Sequence, residues 1–175
     1  EVYLVHGPVS VTTKDKAIKT IGVQGAKEMH KKCLDLFERM DACVMSAAVA
    51  DYMPAHTEAQ KIKKKVGTLS LELIPTPDIL SELGRMKRPD QVLVGFALET
   101  QDEEQYAREK LKKKNLDFIV MNSLNDAGAG FGTDTNKVSI IDNKSDIVRY
   151  PLKTKTEVAQ DISNKLCEYL LAKKV

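Results

Sequence analysis

Apolar residues follow two rhythms along this chain: short unbroken runs, and longer stretches in which they return every three or four positions. Val2-Tyr3-Leu4-Val5, Ala42-Cys43-Val44-Met45, Val92-Leu93-Val94-Gly95-Phe96 and Phe118-Ile119-Val120-Met121 are runs of the first kind. Such runs predict strands of a mostly parallel sheet covered on both faces. Ile18 to Val23 adds another strand. From Ala26 to Met40, the residues Met29, Cys33, Leu36, Phe37 and Met40 share one helical face. Val158, Ile162, Leu166 and Tyr169 form the stripe of a last helix.

Polar residues mark the element ends. Thr100 with Glu103, and Thr154 with Glu157, fit the box in which a threonine and a glutamate satisfy each other's unpaired backbone amides at a helix start. Thr76-Pro77-Asp78 predicts another helix start, with proline in the first turn. Two hairpins are expected. One pairs Ile62–Val66 with Leu69–Ile74 across Gly67-Thr68; the other pairs 138–141 with 147–150. No repeat or linker interrupts this order, so residues 1–175 read as a single three-layer α/β domain with helices on both faces of the sheet and a protruding β-hairpin.

Charge and composition narrow the function. Twenty-seven basic residues against 25 acidic ones leave a net charge of +2, which argues against a general nucleic-acid binder. No apolar run reaches the length of a membrane span and no signal-peptide pattern opens the sequence. Cys33, Cys43 and Cys167 are odd in number and lack metal-ligand spacing. They suggest buried thiols in a reducing compartment, hence a cytoplasmic protein.

In an open α/β sheet, ligands bind beyond the carboxyl ends of the strands. After Val44-Met45 come Ala47, Ala48 and Ala50, small enough for a ligand to approach the backbone, and then the carboxylate of Asp51. In Lys61-Ile62-Lys63-Lys64-Lys65, alternation would put Lys61, Lys63 and Lys65 on one side of an edge strand. Lysines there commonly protect an edge from aggregation, but Lys61 lies nearest the Asp51 loop. Phe96, read as the end of its strand, could cover a base or belong to the core. Lys110 and Lys114 lie one helical turn apart and could grip a polyphosphate or simply be solvated. Asn122 and the glycine-rich stretch 128–136 follow a strand, yet match neither the phosphate loop nor a dinucleotide fingerprint. His6, His30 and His56 are scattered. The residues alone point to an α/β domain with a lysine-rich anion site at the strand ends.

Five motifs in order, Ala47-Ala48-Val49-Ala50-Asp51-Tyr52-Met53-Pro54, Lys61-Ile62-Lys63-Lys64, Thr76-Pro77-Asp78-Ile79, Gly95-Phe96-Ala97-Leu98-Glu99-Thr100 and Gly130-Phe131-Gly132 with Asp134 and Asn136, resemble phosphopantothenoylcysteine synthetase, the ligase part of the bacterial bifunctional coenzyme A biosynthesis flavoprotein. The likeness runs from Gly7-Pro8 to the last helix. It implies a Rossmann-like fold and a two-step ligation in which phosphopantothenate attacks the α-phosphorus of CTP, pyrophosphate leaves, and L-cysteine then displaces CMP from the acyl-cytidylate. By the same resemblance Lys61 is the catalytic lysine at the phosphates. Asp51 holds the nucleotide and its Mg2+. Ala47, Ala48, Pro77, Asp78, Ile79 and Leu80 line the nucleotide through their backbone, and Phe96, Lys110 and Lys114 contact it further. The family's homodimer implies pairing through the 62–74 hairpin, and a flavin-dependent decarboxylase domain can accompany the ligase. The family's first strand, its Gly-Gly-Thr turn, a processing asparagine and a Ser-Ser-Gly helix start have no counterpart in these 175 residues. Two rivals therefore stand beside the ligase: a nucleotide-binding fragment without full catalysis, and an ATP-using member of the same family. A nicotinamide-dependent oxidoreductase is disfavoured by the missing glycine fingerprint.

Overall fold

The computed structural model describes residues 1–63, 67–99, 102–123, 132–144 and 146–173. In chain order its elements are β1 (Val2–His6), β2 (Ile18–Gly22), α1 (Ala26–Phe37), β3 (Ala42–Met45), β4 (Tyr52–Pro54), β5 (Leu73–Pro75), α2 (Ile79–Met86), β6 (Val92–Glu99), α3 (Glu103–Lys113), β7 (Phe118–Ser123), β8 (Thr135–Asn136), β9 (Val138–Asp142), β10 (Ile147–Arg149), β11 (Lys153–Thr154) and α4 (Lys155–Ala172). They fall into two compact units. The first joins Glu1–Cys33 with Ala47–Asp78, and the second joins Leu34–Ser46 with Ile79–Val175. No helix among the described residues is long and apolar enough to cross a membrane.

The second unit is built on a five-stranded sheet in the order β10-β9-β7-β6-β3. The pairs β3/β6 and β6/β7 are parallel, while β7/β9 and β9/β10 are antiparallel. The sheet is therefore mixed rather than mostly parallel, because the expected hairpin of β9 and β10 joins it as two of its five strands. Val92, Leu93, Val94, Phe118, Ile119 and Val120 are all fully buried, which explains why β6 and β7 are apolar at consecutive positions. On one face, Val158 and Ile162 of α4 pack on Val92, Val94, Phe118, Val120, Val138 and Ile140. On the other face Gly95 is closely approached. A Cβ there would come within 2.8 Å of Leu80 and of Leu116, so glycine is required for α2 to lie on the sheet. The start of α4 is the expected capping box: Thr154 Oγ1 accepts from the Glu157 amide at 3.3 Å, and the Thr154 amide donates to Glu157 Oε2 at 2.9 Å.

The amino ends of β6 and β7 are tied by a buried carboxylate. Asp117, 2% exposed, accepts from Lys87 at 2.9 Å, from Lys173 at 2.7 Å and from the Leu93 amide at 2.7 Å. Gln91 donates to the Phe37 and Met40 carbonyls at 2.6 and 2.8 Å, fastening the end of α1 to the start of β6.

In the first unit β1 and β2 pair in parallel, and β4 and β5 in antiparallel register. Among the described residues of 62–74 the expected hairpin is not seen. Among its described residues only Leu73 and Ile74 are in a strand, and they pair with Pro54 and Met53. An isolated two-stranded hairpin is marginal in water, whereas pairing with β4 satisfies the same backbone within the unit. Lys61 and Lys63 accordingly lie on irregular chain; Lys64, Lys65 and Val66 are outside the described residues. Two local expectations also change. Helix α3 starts at Glu103 after Asp102, whose φ of 45° breaks the helical path, so Glu103 is the first helical residue and not the third, as a box from Thr100 would need. Thr100 itself is outside the described residues. Strand β6 continues three residues past Phe96, because Ala97, Leu98 and Glu99 keep register with Met121, Asn122 and Ser123.

Candidate functional site

Within the first unit, the pairing of β4 with β5 gathers motifs that are well separated in sequence. Tyr52 faces Pro75 in register, and just beyond this pair the Thr76 amide donates to the Asp51 carbonyl at 2.8 Å. Asp51 is thereby held beside Thr76-Pro77-Asp78 with its side chain exposed. Ahead of it, the Val49 amide bonds back to the Ala47 carbonyl at 3.0 Å, a tight bend that leaves Ala47 and Ala48 exposed. Small side chains on an exposed bend leave backbone groups open to a flat ligand. Lys61 is exposed on irregular chain in the same unit. The hydroxyl of Thr76 is buried and has no hydrogen-bond partner. In the sequence Thr76 marks a helix start, and its place directly before Pro77 is the signal that sets it beside the Asp51 loop.

Within the second unit, Ile79 and Leu80 are 4% and 8% exposed, with Leu80 against Gly95. Only their backbone, at the amino end of α2, could face a ligand, which suits anions. The Phe96 ring packs against the core on the α4 face, so the core reading of this residue holds for the ring. Its carbonyl accepts from Lys110 Nζ at 2.7 Å, bringing a cation of α3 to the backbone of β6. Lys114 stands one turn further on as the C-cap of α3, its amide donating to the Lys110 carbonyl at 3.0 Å. Of the glycine-rich stretch, residues 128–131 are outside the described residues.

Among the described residues no three or more His, Cys, Asp or Glu side chains cluster as metal ligands. The single exposed carboxylate of Asp51 fits a magnesium that arrives on a nucleotide, since that ion usually keeps its waters and phosphate ligands and takes only one or two carboxylates. Burial pushes the Cys33 thiol above its ordinary range, as expected of an inert core cysteine.

Residues 1–170 match the family described as the DNA/pantothenate metabolism flavoprotein C-terminal domain. The chain belongs to this family. Among curated members, it is 44% identical over 161 residues to the coenzyme A biosynthesis bifunctional protein CoaBC of Bacillus subtilis strain 168, covering 92% of this chain and 39% of that protein. It is 49% identical over 166 residues to a protein named cysteine/cysteine sulfinic acid decarboxylase from an unknown prokaryotic organism, covering 95% and 46%. The chain thus spans less than half the length of these curated relatives. The crystal structure of the C-terminal domain of CoaBC superposes with a TM-score of 0.79 at 31% identity, covering all of this chain and 76% of that one. In this flavoprotein C-terminal domain, then, the Asp51 loop and the Thr76-Pro77-Asp78 segment lie together in one unit, and Phe96 and Lys110 in the other.

Proposed function

We propose that the chain supplies the phosphopantothenate-cysteine ligase activity of coenzyme A biosynthesis, that it uses CTP, and that residues 1–175 are a nucleotide-binding ligase domain of Rossmann-like fold. The observation that carries this reading is the family match over residues 1–170, together with 44% identity to a protein named for coenzyme A biosynthesis. In the first step a carboxylate oxygen of phosphopantothenate attacks the α-phosphorus of CTP, and the bond to the β-phosphate breaks to release pyrophosphate. In the second, the amine of L-cysteine attacks the acyl carbon, loses its proton and expels CMP.

Both reactants of the first step are anionic, so fixed cations must offset their repulsion and the charge that builds on the leaving group. Lys61 takes this role at the phosphates, and Lys110 and Lys114 hold the nucleotide. The exposed bend at Ala47 and Ala48 and the backbone of Pro77, Asp78, Ile79 and Leu80 offer the amides and carbonyls that read the base, while Phe96 contributes its backbone. Asp51 orients the nucleotide and would hold its Mg2+, an ion that neutralises phosphate charge when bound.

The active assembly is a homodimer. Ile62, Leu69, Leu71 and Leu73 are 53%, 68%, 64% and 54% exposed, an apolar set that a second copy would cover. A cytoplasmic location suits the buried Cys33 thiol, and the length of the relatives suits a fused flavin-dependent decarboxylase domain. Incubating the full-length protein with phosphopantothenate, L-cysteine and either CTP or ATP tests the reading. Release of CMP that requires both acceptors is expected; equal use of ATP contradicts the choice of CTP, and no nucleotide turnover contradicts the ligase.

A further inference from the structure

Asn122 is a polar side chain near a strand end that the ligase reading leaves without a task. It stands near the carboxyl end of β7, the middle strand of the five, and its backbone is in register with Leu98 on one side and Val138 on the other. Phe118 and Val120, two and four positions earlier, are fully buried in the core under α4. The two-residue period of a strand therefore puts Asn122 on that same face, in the row beyond Phe96 and Val120. Its neighbours in that row differ sharply: Val138 is 1% exposed and Leu98 36%. Asn122 marks the point where the covered sheet opens. The Oδ1 atom is buried and has no hydrogen-bond partner. A buried amide oxygen left without a donor is destabilising, and native proteins keep such groups where a ligand or water completes them.

We propose that Asn122 is a specificity-determining residue whose Oδ1 accepts a hydrogen bond from an N–H or O–H donor of the bound nucleotide, either a ribose hydroxyl or the exocyclic amine of the base. The inference rests on the ligase reading and adds a residue to its nucleotide site. A central strand holds the side chain rigidly, so the acceptor is in place before the ligand arrives and binding orders little else.

Calorimetric titration of the full-length protein, wild type and Asn122→Leu, with CTP, UTP, 2′-deoxy-CTP and 3′-deoxy-CTP tests this. CTP affinity should fall about three- to tenfold in the variant, the value of one neutral hydrogen bond. The melting temperature should hold or rise, because an apolar side chain of similar size replaces an unsatisfied acceptor. The deciding readout is discrimination. Wild type should prefer CTP over the analogue that lacks the donor, and Asn122→Leu should lose that one preference, which identifies the donor. If the variant keeps every preference of the wild type, the inference is overturned, whatever happens to its stability. If wild type binds no CTP, the ligase reading fails and this inference with it.

Discussion

Asp117 directly precedes an apolar strand, and nothing in its sequence neighbourhood shows that it will be 2% exposed with two lysine partners. Lys87 and Lys173 reach it from distant parts of the chain, so only the folded topology brings the three together. Removing one member of a buried ion pair is costly because the remaining charge is stranded. Lys87 is itself only 8% exposed. Asp117→Ala should therefore lower stability by about 3–5 kcal/mol in urea unfolding; a loss below about 1 kcal/mol would mean that Lys87 escapes to water at little cost. Other single residues were more legible. The spacing of Met29, Cys33, Leu36, Phe37 and Met40 named a stripe whose first four members are buried, while Met40 lies half-buried beyond the end of α1. For Phe96 the sequence offers a ring near a strand end, which suits a core or a ligand, and the half-buried ring packs against the core cluster under α4.

At the scale of elements, unbroken apolar runs identified β3, β6 and β7 and an apolar stripe identified α4, since each buries an apolar face; α2 and α3 were signalled only by their start residues, and the two-residue strands β8 and β11 left no signal. The capping box of α4 was equally readable because all its atoms lie within four residues. The Thr154 hydroxyl, and then its amide, hold the Glu157 carboxyl below the ordinary glutamate range. The same four-residue pattern misled at α3, where the left-handed conformation of Asp102 starts the helix later than the pattern implied. The 62–74 segment misled for a different reason: alternation of Leu69, Leu71 and Leu73 reports a shared face but not which strand it joins, and β4 takes its end. Those leucines remain exposed, and their proposed cover is a second copy of the chain. Sedimentation should show a dimer at micromolar concentration, and Leu71→Glu should shift it toward monomer by placing a charge in the apolar contact. A wild-type monomer at that concentration would reject the pairing.

At the scale of the molecule, the central strands and the β9/β10 hairpin were legible, but not that the hairpin joins the sheet beside β7, where β9 runs against the other four strands of that sheet. The candidate site was legible as motifs in chain order, and much less as geometry. The hydrogen bond from Thr76 to Asp51 spans 24 intervening residues and exists because β4 meets β5. Lys61 belongs to a lysine-rich segment that two different physical roles explain equally well. If all its lysines are solubility devices, Lys61→Gln and Lys63→Gln should behave alike. If Lys61 meets the phosphates, its charge matters most when negative charge builds on the leaving group. Pyrophosphate release from CTP, measured with phosphopantothenate present in the full-length protein, separates the two. Lys61→Gln should slow release by about a hundred- to a thousandfold, with stability within about 0.5 kcal/mol of wild type, while Lys63→Gln stays near the wild-type rate. Wild-type release by Lys61→Gln, or an equal loss in both variants, would contradict a catalytic lysine at this position.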